Sequence, residues 1–292
     1  MFNRIVRQIG NVFFFGNIYM ACCAVALLWI TYLRAGIPVR LDSLSAFVFF
    51  ATLFQYTLHR FLALRKHKNS DNEILKWTAE NQFLFVMLAI ISGGMCANLS
   101  FHLTRDTFFL LLFLGTLSLL YELPVFRQDD KQMRLRDIWF FKIILITLVW
   151  SCTTAVLPYL QYELNIYSTS FIVLLIQKIA LVFIVALAFD IRDMEYDRRD
   201  QVITIPIRFG LIRVRKLIII LTALCILTGF IHALWLSPFS MPLILTAQLS
   251  PLFSYYIITL AYRYPIDLFF IVAVDGILAV EFIFAMLLKL IF

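Results

Sequence analysis

Runs of about twenty apolar residues follow one another along almost the whole chain, and they restrict it to very few folds. A helix of that length crosses the ~30 Å hydrocarbon core of a bilayer. Within hydrocarbon the backbone must satisfy its own hydrogen bonds, which leaves helices and closed barrels. Barrel strands alternate apolar and polar residues over about ten positions, and these runs do not alternate. The expected fold class is therefore an all-α membrane protein. Composition points the same way: 62% of the 292 residues are hydrophobic and 15% are charged, against about a quarter charged in soluble domains.

Nine transmembrane helices are expected: Val12–Leu33, Leu44–Leu64, Phe83–Leu99, Thr107–Leu123, Ile138–Leu157, Thr169–Phe189, Leu217–Leu236, Leu243–Tyr262 and Leu268–Ile291. No soluble domain, repeat or low-complexity tract interrupts them, so residues 1–292 read as a single transmembrane helical domain. Arg4 and Arg7 precede an apolar run too long for a signal-peptide core, which implies a retained first span. Lys and Arg divide unevenly between alternate loops. Twenty lie on the N-terminal side, four (Arg34, Arg40, Arg105 and Lys289) lie on the other, and Lys178 falls within a span. The positive-inside rule then places the N-terminus in the cytoplasm and the C-terminus outside, in a multi-pass protein of the inner, cytoplasmic membrane. The net charge of +7 is accounted for by these orientation signals, without a nucleic-acid partner. The five cysteines (Cys22, Cys23, Cys96, Cys152 and Cys225) all lie in apolar runs without ligand spacing and read as small reduced hydrophobes.

Polar residues gather in three segments on the cytoplasmic side: Arg60–Glu80, Glu122–Asp137 and Asp190–Lys216. A transporter more often places them mid-membrane, at broken helices. The densest group runs from Asp190 to Asp200, directly after the apolar Ala186-Leu187-Ala188-Phe189. On a helix that continues past the membrane boundary, Asp190, Asp193 and Asp197 stand at i, i+3 and i+7 and share a face. Arg192 and Arg199 then point roughly the opposite way. Neighbouring carboxylates repel unless a cation lies between them, and oxygen-only ligation suits Mg²⁺, which completes its shell with water and phosphate oxygens. The same stretch also suits a solvated helix whose five acids and three arginines neutralise one another. A charge in hydrocarbon costs up to ~2.5–3.5 kcal/mol at the bilayer centre, so Asp190 needs a partner or water.

The stretch from Asp190 to Gly210 resembles the second aspartate-rich motif of the UbiA-type intramembrane prenyltransferase superfamily. There a D-x-x-D-x-x-x-D helix leads to T-[LI]-P-[VI]-R-x-G, matched by Thr204-Ile205-Pro206-Ile207-Arg208-Phe209-Gly210. Tyr121-Glu122-Leu123-Pro124 through Lys142 is similar to the family's loop between the fourth and fifth spans, where a Tyr-x-x-Pro precedes basic residues and a Lys entering the next helix. The resemblance implies a helical bundle with a cavity open to the cytoplasm. It implies Asp190, Asp193 and Asp197 as catalytic acids holding Mg²⁺, and Lys142, Arg192 and Arg208 as contacts to a prenyl diphosphate. Aromatic side chains would tolerate the allylic cation.

One part of the pattern is missing. The family's first acidic motif, N-x-x-x-D-x-x-x-D or close to it, is expected where the second span leaves the membrane. Gln55, His59 and Ala63 stand at those positions here, without either carboxylate. His59 and Arg60, with Arg65 and Lys66, could meet a diphosphate as fixed cationic donors; equally, they form an ordinary positive-inside anchor. Lys142 divides in the same way between a diphosphate contact and an interfacial snorkelling lysine. Lys178 lies about mid-span, where charge is usually paired inside the bundle, and Asp275 and Glu281 are its candidate partners, or members of an unrelated relay. Tyr121, Tyr196 and most of the thirty phenylalanines read as interface or packing aromatics.

The function expected from the resemblance is Mg²⁺-dependent transfer of an isoprenoid chain from a prenyl diphosphate to a lipophilic, membrane-embedded acceptor. Two alternatives stand beside it. The missing acids near His59 suit a catalytically impaired member that acts as a lipid-binding or assembly protein. Lys178, Asp275 and Glu281 suit a transporter.

Overall fold

The computed structural model describes residues 2–66, 73–123, 126–128, 131–137, 141–199, 202–236, 241–263 and 266–290. Two helices, α1 (Phe2–Phe15) and α2 (Ile18–Ala35), occupy the place of the expected first span. The chain turns between them at Gly16-Asn17. Asn17 adopts φ +65°, a left-handed conformation that Asn tolerates better than most residues. A Cβ at Gly16 would lie 2.2 Å from the carbonyl oxygen of Val12, so the turn has room only for glycine.

The chain separates into two compact units. The first comprises residues 1–25 and 40–103 and contains α1, α3 (Ser43–Lys66), α4 (Glu73–Glu80) and α5 (Gln82–Ser100). Here α3 and α5 pack along one another. The Trp77 ring of α4 meets Phe15 at 5.7 Å and Phe85 at 5.8 Å, and Arg60 donates a 3.0 Å hydrogen bond to the Phe15 carbonyl. Phe83, Ile90 and Ile91 of α5 are widely exposed. A helix apolar on its outer face is suited to lipid rather than water.

The second unit comprises residues 26–39 and 104–292. Beyond the end of α2 it contains α6 (Arg105–Glu122), a hairpin of β1 (Phe126–Gln128) and β2 (Lys131–Met133), α7 (Phe141–Ser151) and α8 (Leu157–Gln161). Then follow α9 (Thr169–Arg192), α10 (Met194–Arg199), α11 (Ile205–Phe209), α12 (Leu211–Ile231), α13 (Met241–Ala261), α14 (Asp267–Phe269) and α15 (Ile277–Lys289). The hairpin pairs antiparallel with Phe126 opposite Met133. At the centre, α9 packs against α7, α12, α13 and α15. Its Ala180, Ala186 and Ala188 are buried, and such small residues let helix backbones approach. Gly229 of α12 does the same, since a Cβ there would stand 3.0 Å from both Gln177 Nε2 and Ala247 Cβ. A π-helical turn at Cys152–Val156 joins α7 to α8, and Thr31 Oγ1 donates to the Thr154 carbonyl within it at 2.6 Å.

Among the described residues seven helices are long and apolar enough to cross a membrane. An eighth span is formed if Asp267–Val274 and Ile277–Lys289 count together across their 41° bend. The expected Thr107–Leu123 span corresponds to α6, which carries Arg105, Asp106 and Glu122 at its ends. The Glu281 charge acts on Lys178 as expected, but the direct bonds of both run to other groups. Glu281 pairs with Arg34, whose guanidinium also donates to Gln177 Oε1. Lys178 Nζ donates instead to the Leu27 carbonyl. All four side chains are buried, so these charged and polar groups are satisfied inside the second unit.

Candidate functional site

The site grows from the C-terminal end of α9. The helix was expected to run on past the membrane boundary, but it stops at Arg192. Asp193 sits in a turn with φ −85° and ψ 3° before α10 begins. The backbone on either side still makes helical bonds, Asp193 N to Phe189 O and Asp197 N to Asp193 O, both 2.9 Å. Asp190 and Asp197 therefore stay on one side, two turns apart. Lys142, in the first turn of α7, reaches both. Its Nζ lies 2.9 Å from Asp190 Oδ1 and 3.1 Å from Asp197 Oδ2.

Asp193 does not join them. Its carboxylate takes a two-pronged interaction from Arg192, with Nε to Oδ1 at 2.8 Å and Nη2 to Oδ2 at 3.2 Å. The Arg192 guanidinium lies over the rings of Phe189 and Phe270, 4.7 and 5.0 Å from their centroids, and its Nη1 is 3.9 Å from Asp267 Oδ1. Two ring faces and two carboxylates hold this cation, the geometry for which a planar guanidinium is suited.

Asp190 is only 3% exposed, and a carboxylate so deeply placed is stable only with a cation against it. Asp197 lies beyond the membrane helix. Burial pushes its carboxyl above the usual aspartate range, although Lys142 and Arg136 pull the other way. Arg136 and Glu122 were not among the expected site residues. Arg136 lies in a 3₁₀ turn at Leu135–Asp137, 3.6 Å from Glu122 Oε2, with its guanidinium 5.8 Å from the Tyr121 ring centroid. The available signal was the basic stretch after Tyr121-Glu122-Leu123-Pro124, in which no one residue stood out.

Among the described residues no group of three or more His, Cys, Asp or Glu gathers as a metal site. Two carboxylates instead converge on a single positive point. Hard, anionic oxygens facing one cation form a donor set that fits a divalent ion such as Mg²⁺, whose remaining ligands are water and phosphate. Arg208 is exposed on α11, a short helix entered through Thr204 with Pro206 in its first turn. His59 and Arg60 belong to α3 in the first unit, with Gln55 and Ala63 one turn to either side.

A family model described as the UbiA prenyltransferase family matches residues 78–274. The match contains Lys142, Asp190, Asp193 and Asp197 and begins beyond Gln55, His59 and Ala63. No curated protein matches the chain. Among solved structures, a UbiA homologue from Archaeoglobus fulgidus bound to GPP and Mg²⁺ aligns with a TM-score of 0.66 at 13% identity, covering 94% of this chain and 98% of that one. The apo UbiA homologue from Aeropyrum pernix K1 gives 0.64 at 12% identity, with 94% and 98% covered. The Archaeoglobus fulgidus homologue bound to DMAPP and Mg²⁺ gives 0.64 at 12%, with 96% and 99% covered. At such identities the alignments establish a shared fold, and the family match, which runs through the acid pair and its lysine, establishes descent: the chain belongs to the UbiA prenyltransferase family.

Proposed function

We propose that this protein transfers an isoprenoid chain from a prenyl diphosphate to a lipophilic acceptor in the membrane, in a Mg²⁺-dependent reaction at the cytoplasmic face of the inner membrane. One observation carries the reading: Asp190 and Asp197 converge on Lys142 at the end of a membrane helix. Solved homologues that share the fold hold GPP or DMAPP together with Mg²⁺. A divalent ion at the acid pair would supply positive charge to a departing diphosphate. Asp190 and Asp197 would hold that ion, and Lys142 would donate a charge-assisted hydrogen bond to a diphosphate oxygen. Asp193 positions Arg192 rather than holding metal. Arg136 and Arg208 are the further basic groups assigned to the diphosphate.

The test is a turnover assay on purified protein with Mg²⁺, prenyl diphosphates of several lengths and a panel of lipophilic acceptors. Prenylated product and free diphosphate are expected, and both are expected to vanish on chelation. A second reading is favoured by the absence of carboxylates at Gln55, His59 and Ala63: a non-catalytic member that binds lipid or assists assembly. Mg²⁺-dependent retention of a prenyl diphosphate with no turnover under any condition would select it.

A further inference from the structure

We infer that Lys142 is the resident counter-ion of the acid pair, so that a divalent ion enters only by displacing it, and the displaced ammonium becomes the free donor for a diphosphate. The inference rests on the prenyl-transfer reading and specifies how its site is loaded.

The Lys142 ammonium bridges one oxygen of Asp190 and one of Asp197, the same two carboxylates that would grip a metal. A divalent ion and an ammonium cannot share those oxygens, because like charges at that separation repel strongly in a partly desolvated site. One must leave. The carboxylates are fixed by α9 and α10, whereas Lys142 carries its charge on a flexible four-carbon stem and keeps 18% of its side chain exposed. It can swing without moving α7.

The neighbouring cations are placed differently. Arg192 is held by Asp193 and two aromatic rings, and Arg136 pairs with Glu122. Metal entry at Asp190 and Asp197 takes away neither of those partners. Of these three cations, Lys142 is the one seated on the carboxylates that would also be the metal's ligands. Before loading, it keeps the buried Asp190 neutralised, which explains how the pair exists in the protein by itself. After loading, it is left close to the ion without a carboxylate, and a phosphate oxygen is the acceptor that suits it. Metal and diphosphate are thereby coupled, each raising the affinity for the other.

The experiment titrates Mn²⁺ into the purified full-length chain without prenyl diphosphate and reads free Mn²⁺ by electron paramagnetic resonance. Lys142→Met is expected to bind Mn²⁺ roughly tenfold more tightly than wild type, the scale on which groups beside a metal's ligands alter its affinity. Lys142→Arg is expected to bind no more tightly. Binding by Lys142→Met that equals or falls below wild type overturns the inference and leaves the acids standing as a metal site. If no protein takes up Mn²⁺ at millimolar concentration, the acid pair is not a metal site and the prenyl-transfer reading falls with the inference. If Lys142→Met does not fold, the wild-type structure with Mn²⁺ decides. An anomalous peak between Asp190 and Asp197 with Nζ withdrawn supports displacement, and Nζ still seated on both oxygens overturns it.

Discussion

Asp190 and Asp193 are three residues apart and have different partners. Asp190 is buried against Lys142, while Asp193 is about a quarter exposed and committed to Arg192. Replacing Asp190 or Asp197 with Asn is expected to lower Mg²⁺-dependent turnover about a hundredfold or more, the scale of losing a group that stabilises developing charge. Replacing Asp193 with Asn loosens only a positioning contact, and a loss of about tenfold is expected, as for a charge-assisted hydrogen bond. Steady-state turnover of the three variants measures the difference, and equal losses would refute this division of roles. The acids were legible in the sequence because three carboxylates at helical spacing beside an apolar run are unusual. Their division was not, because it depends on a turn at Asp193 and on Lys142 arriving from a helix some fifty positions earlier. Spacing along one segment carries no information about that approach.

The elements show how the site is held. Gly210 joins α11 to α12 with φ +79° and ψ 156°, a region open essentially to glycine. Gly210→Ala is expected to cost about 1–3 kcal/mol, seen as a lower thermal midpoint and reduced turnover; an unchanged midpoint would show that the turn relaxes. Farther along α9, Gln177 and Lys178 belong to the closed cluster with Arg34 and Glu281. Lys178 precedes Asp190 by twelve residues, about 18 Å along a helix, so α9 carries the proposed site at one end and a packing group farther in. Glu281→Ala would leave Arg34 buried without its counter-charge, at an expected cost of about 3–5 kcal/mol, whereas Arg34→Met combined with Glu281→Met should recover most of that loss. Thermal unfolding of the purified variants distinguishes them. A lower midpoint in the double variant than in Glu281→Ala would contradict a purely structural pair. Arg34, Gln177, Glu281 and Lys178 are bonded to one another or to backbone, as suits groups that hold helices together. The apolar runs forecast most of these helices, because lipid imposes length and hydrophobicity directly. They concealed the breaks at Gly16-Asn17 and Asp275-Gly276, where short turns barely alter mean hydropathy, and they did not mark the hairpin at residues 126–133.

For the whole molecule, the twenty-to-four distribution of Lys and Arg predicts a cytoplasmic N-terminus, acid pair and Lys142. A reporter active only in the cytoplasm, fused after residue 128, should therefore be active, and one fused after residue 163 should be silent; the reverse pattern would invert the assignment. The Arg34–Glu281 pair adds a constraint on biogenesis, since its members are separated by 247 positions. During synthesis Arg34 enters the bilayer long before the ribosome has made its carboxylate. Until the final helix is integrated, that guanidinium must rely on water, lipid headgroups or an insertion chaperone. A chain truncated before Ile277 would leave that cation permanently without its carboxylate.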